Sequence, residues 1–119
     1  MPLNNFLSRL KNNELISFEE TMEVIDKHYD YTPCEFENGE GKHRLINRAG
    51  ENQGSCKIFA FAKLHNLNEE MTLALFGDFY RKDVLEQPNG TSHANIRTFL
   101  KYGWKGIRFG SNALSTQNS

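Results

Sequence analysis

The stretch "ENQGSCKIFAFAKLH", residues 51–65, holds the residue types most able to do chemistry. If Ser55 caps the helix that follows, Cys56 sits in its first turn. There the unpaired N–H groups and the helix dipole favour a thiolate, and Lys57 adds a positive charge. A nucleophilic thiol needs a base. His65 lies nine residues along the same helix, about 13 Å up its axis and on nearly the opposite side, so it does not serve. His93, in "TSHANIR", is the remaining candidate base, with Asn52 or Asn95 to orient it and the backbone N–H groups around Ser55 and Cys56 as an oxyanion hole. The catalytic set on this reading is Cys56, His93 and Asn52. The competing reading makes Cys56 a small buried residue under the "NQGS" turn, and it weighs more because free cysteine is among the most buried residue types.

"GSC" entering an apolar helix has a superficial likeness to papain-like proteases. Their oxyanion-hole glutamine would fall at Gly50, and their distant histidine and asparagine need more chain than is present. A second cluster, Tyr80, Arg81 and Arg97, would form an anion or partner site if both guanidinium groups turned into the concavity near Cys56 and His93. As surface residues they would form ion pairs instead. Asp26, His28, Asp30 and His43 follow no HExxH or CxxC spacing, so neither a metal nor another cofactor is expected. "NGT" at 89–91 reads as a turn leading into a helix cap.

Short elements must position these groups. Residues 5–12 place Phe6, Leu7 and Leu10 on one side of a helix. Ser17 with Glu20 is a capping box for a helix reaching about His28. From 29 to 54 periodicity fails, and only 34–37 and 43–47 read as short strands, giving a small hairpin or ordered loop between helices two and three. Residues 58–64 are apolar around almost the whole circumference and read as a central helix. Asn68 caps the next helix, which Gly77 is placed to split, and a last helix runs from about 92 to 101. "YGWKGIRF" closes the fold as an extended or hairpin-like segment. The expectation is a mainly α single domain, 1–110, of about five helices around a central apolar helix. Residues 111–119 are expected to be a disordered tail.

Composition narrows the function classes. Fourteen basic and fifteen acidic residues nearly cancel in a chain of 119 residues, so no basic field is available for nucleic acid. The longest apolar run is far below a membrane span, so no membrane insertion is expected, and no Sec signal opens the chain. Two cysteines, Cys34 and Cys56, are too few for a disulfide framework and point to a reducing compartment, with a single bridge between them left open. A protein partner remains the expected ligand.

The runs "AGENQGSCKIFAFAKLHNLNEEMTLALFGDFYRKDVL" and "GTSHANIRTFLKYGWKGIRF", preceded by "NNFLSRL" and "FEETMEVIDKHYDYTP", closely resemble the HopJ family of bacterial type III effectors, in family order and through Phe109. The resemblance implies a bacterial protein secreted into a host cell by type III secretion, with residence in the bacterial cytoplasm as the alternative reading. It brings no catalytic residues to carry over.

Overall fold

Ser17 starts a helix as its spacing with Glu20 requires. The Ser17 hydroxyl accepts the Glu20 backbone N–H at 3.1 Å, and the Glu20 carboxylate accepts the Ser17 N–H at 3.2 Å. The helix runs Phe18–His28 (α2) and follows Leu3–Lys11 (α1), whose Phe6 and Leu10 are buried. The computed structural model describes residues 2–117. Residues 118 and 119, the end of the expected tail, lie outside them.

The irregular region holds three strands, Tyr29–Tyr31 (β1), Phe36–Asn38 (β2) and Leu45–Asn47 (β3). β2 and β3 form the expected hairpin, antiparallel, with Glu37 opposite Ile46. On its other side β2 pairs with Arg108–Phe109 (β4), so the sheet order is β3-β2-β4. β1 pairs antiparallel with Leu114–Thr116 (β5), Tyr29 opposite Thr116. Residues 114–116, expected in a disordered tail, are therefore a strand. Ala113 and Leu114 are buried, and Gln117 Nε2 donates to the carbonyls of Asp26 and Tyr29.

The apolar segment forms Gln53–Leu64 (α3), which buries Cys56, Ile58, Phe59, Ala60, Phe61 and Ala62. Phe59 alone meets the rings of Phe36, Phe76, Phe99 and Trp104 within 6.4 Å. Asn68 caps Glu69–Ala74 (α4) by accepting the Met71 N–H. Gly77 then takes φ +62°, and Asp78–Arg81 (α5) begins anew. A Cβ at Gly77 would lie 2.6 Å from the Phe18 backbone nitrogen, so only glycine permits this approach. Ala94–Tyr102 (α6) and a 3-10 turn at Gly103–Gly106 lead to β4.

The described residues thus form six α-helices and two small antiparallel sheets where about five helices and one hairpin were expected. None of the helices is long and apolar enough to cross a membrane.

Candidate functional site

Two helices begin at one place, and neither start is capped by its own N-cap side chain. Ser55 was expected to cap α3, but the helix starts three residues earlier and Asn52 holds the N-cap with φ +50°. Asparagine tolerates this left-handed conformation, and its side chain is engaged elsewhere: Nδ2 donates to Asn47 Oδ1 at 2.7 Å. α6 likewise starts after His93 at φ +54°, whose ring contacts Asp83 and Phe79 and caps nothing.

Between these helix starts and β3 lies a pocket of about 380 Å³. Its floor is a buried amide cluster. Asn95 Nδ2 donates to Asn47 Oδ1 at 2.9 Å, and Asn47 Nδ2 donates to Asn95 Oδ1 at 3.1 Å. From behind, Asn38 Nδ2 reaches both the Asn95 carbonyl and Oδ1. Such reciprocal bonding fixes the rotamers and the placement of both helix starts. One wall is aromatic: Phe79 packs on Phe18 and on the His93 ring, each at a centroid distance of 4.9 Å. The rim is apolar and open, with Ile46 54% and Phe79 36% exposed. Asp83 Oδ2, 3.0 Å from His93 Nε2, holds the imidazole against this wall.

His93 and Asn52 of the expected catalytic set line this pocket, and Cys56 does not. Because α3 starts at Gln53, Cys56 lies past the first turn, and its N–H already donates to the Asn52 carbonyl at 3.0 Å. The expected activation by free helix-start N–H groups is therefore corrected. The side chain is 1% exposed and points inward, toward the Cys34 carbonyl at 3.9 Å and the hydroxyl of half-buried Tyr31. Burial first, and the neighbouring Cys34 second, push the thiol from 9.0 up to about 11. A thiol there is protonated at neutral pH. Both cysteines are free.

The expected anion cluster also separates. Arg97 donates to the carbonyls of Ser92, Gln87 and Asp83, fastening the 83–92 loop onto α6. Arg81 donates to the Ile16 carbonyl at 2.9 Å and pairs with Asp78. Both guanidinium groups thus bind the chain's own carbonyls and do not converge beside Cys56 and His93 as an anion cradle. Tyr80 lines a different groove, of about 290 Å³, with Leu15, Met71, Arg81 and Leu85.

The residues that sequence reasoning missed are the pocket's floor and rim, Asn47, Ile46 and Phe79. Asn95 was weighed only as an orienter of His93. The available signal was its place in α6 beside Ile96, on the face that Phe99 also buries, because an asparagine there must find polar partners.

Comparison with known proteins adds two findings. A family model described as "HopJ type III effector protein" matches residues 3–114. The crystal structure of a protein of unknown function, VPA0580, superimposes with a TM-score of 0.93 at 50% identity, covering 98% of this chain and 95% of that one. No curated protein matches the chain.

Proposed function

The chain belongs to the HopJ type III effector family, and from that premise we propose that it is delivered into a host cell and acts by binding a protein partner at the pocket between α3, α6 and β3. The observation that carries this reading is the pocket itself. A rigid amide floor under an exposed apolar rim of Ile46 and Phe79 gives an apolar side chain somewhere to seat and main-chain groups something to hydrogen-bond. The same geometry favours binding over thiol catalysis, because the pocket holds His93 and Asn52 without the thiol. The set Cys56, His93 and Asn52 would need Cys56 at the surface, and burial keeps it inside.

Delivery and binding are tested separately. Fused to a reporter that needs a host cofactor, the chain should give signal in host cells only when the bacterium's type III system is intact; equal signal from a secretion-deficient strain opposes delivery. A photo-crosslinking residue at Phe79 should give a discrete adduct with a host protein, while one at Glu23, on α2, should not. Indistinguishable adducts from both positions would sink the binding reading.

A further inference from the structure

The hydrogen-bonding direction of β3 shows how a partner would be held. Gly110 N–H donates to the Glu35 carbonyl, and Phe36 pairs with Phe109, so Glu35 and Glu37 turn their main-chain groups toward β4. By alternation Phe36 and Asn38 turn theirs toward β3, where Asn47 and Leu45 meet them. Ile46, between those two, therefore points its N–H and C=O away from β2, to the open side. β3 is an edge strand of its sheet, and its Leu45, Ile46 and Asn47 all line the pocket. An unpaired strand edge beside a side-chain pocket is the arrangement used to capture an extended peptide.

Charge selects the occupant. Ile46 is flanked at two residues on either side by Arg44 and Arg48, both exposed. Arg44 is shared with Glu37 at 3.4 Å, and the Arg48 main-chain N–H is engaged by the Glu51 carboxylate. A second copy of this chain pairing antiparallel about Ile46 would set Arg44 opposite Arg48 twice, and like charges directly opposite are destabilising. A strand with acidic residues at those two places would meet opposite charge at both.

We propose that β3 recruits an extended acidic segment of the partner by strand addition, with acidic side chains opposite Arg44 and Arg48 and an apolar or aromatic side chain seated between Phe18, Phe79 and His93. This deepens the pocket-binding reading above and rests on it. The Ile46 N–H and C=O make the central main-chain pair, and the flanking arginines set register and exclude self-pairing.

The test uses the intact chain and a synthetic peptide alternating Glu with Val and carrying one central Phe, against the same peptide with Lys for Glu. The acidic peptide should bind, shift the Ile46 amide resonance and slow its exchange with solvent, and weaken as salt rises. Arg44→Glu and Arg48→Glu should each weaken it about tenfold or more and transfer preference to the Lys peptide. Ile46→Pro removes the outward N–H without touching the β2 ladder, a position where a folded sheet tolerates proline, and should abolish binding. If the folded Ile46→Pro variant binds as well as the parent, strand addition is wrong, while persistence of the Phe79 crosslink in that variant would separately show the pocket reading standing. Equal binding of the two peptides, or concentration-dependent dimerisation through Ile46 in sedimentation, would also overturn the proposal.

Discussion

At the scale of single residues, the decisive fact is where a proton sits. In the unfolded chain the Cys56 thiol titrates near 9.0, and in the folded one burial holds its proton to about 11. Below 9.0 both states keep the proton, and the thiol's contribution to stability is whole. Between 9.0 and about 11 the folded state binds more protons than the unfolded, so stability falls as pH rises through that window, by up to about 2–3 kcal/mol. Tyr31, pushed from 10.0 to about 12 by burial and the adjacent thiols, extends the decline upward. Denaturant melts from pH 8 to 11 should show this slope, and Cys56→Ala should flatten its lower half. The same burial makes Cys56 silent to iodoacetamide at neutral pH until the chain unfolds. Rapid alkylation of the native protein, slowed by His93→Ala, would mean that the thiol reaches the pocket after all.

At the scale of elements, α3 and β5 make the sharpest demands. Phe59 is fully buried among four rings, so Phe59→Ala should cost about 3–5 kcal/mol, read from the shift in denaturant midpoint. A change under ~0.5 kcal/mol would show that α3 does not anchor the packing. Truncation after residue 112 should also destabilise, by about 2 kcal/mol or more, because it removes buried Ala113 and Leu114 and unpairs β1. A disordered tail would be lost without effect. These two elements differ in how far they were legible. The α2 and α4 starts were readable because Ser17 and Asn68 cap with their own side chains, a local event with a local signature. The α3 start was not, because Asn52 directs its side chain to Asn47, a partner that spacing along the chain cannot reveal; α6, expected from about residue 92, begins at Ala94, although His93 turns its ring to Asp83 and does not cap it. The β1–β5 pair failed for a related reason: strands of three residues show no alternation, and their pairing joins opposite ends of the sequence. His93 and Asn52 were found for a catalytic purpose and turned up together in a pocket, whereas the thiol meant to join them packs inside.

At the scale of the whole molecule, the question is how a folded chain of this family meets a secretion channel. α1 lays buried Phe6 and Leu10 against the core, Phe6 meeting Phe61 of α3 at a ring-centroid distance of 6.1 Å. Arg9 of α1 also pairs with Glu20 of α2, so the first two helices are tied to each other as well as to α3. If the chain is threaded from its N-terminal side, as the proposed delivery requires, α1 must be pulled off the domain. That step opens aromatic surface, and its cost is part of the domain's own stability. Amide exchange should accordingly show protection across both helices, strongest at Ile25 and Phe6, where side chains are fully buried. α1 should exchange before α3, since a terminal helix of nine residues can detach by itself. Uniformly rapid exchange over residues 3–28 would mean instead that the N-terminal segment is loose in the native protein and available to an export apparatus without unfolding. Protection that disappears on Phe6→Ala while α3 stays protected would place the energetic gate to secretion at the contact between Phe6 and Phe61.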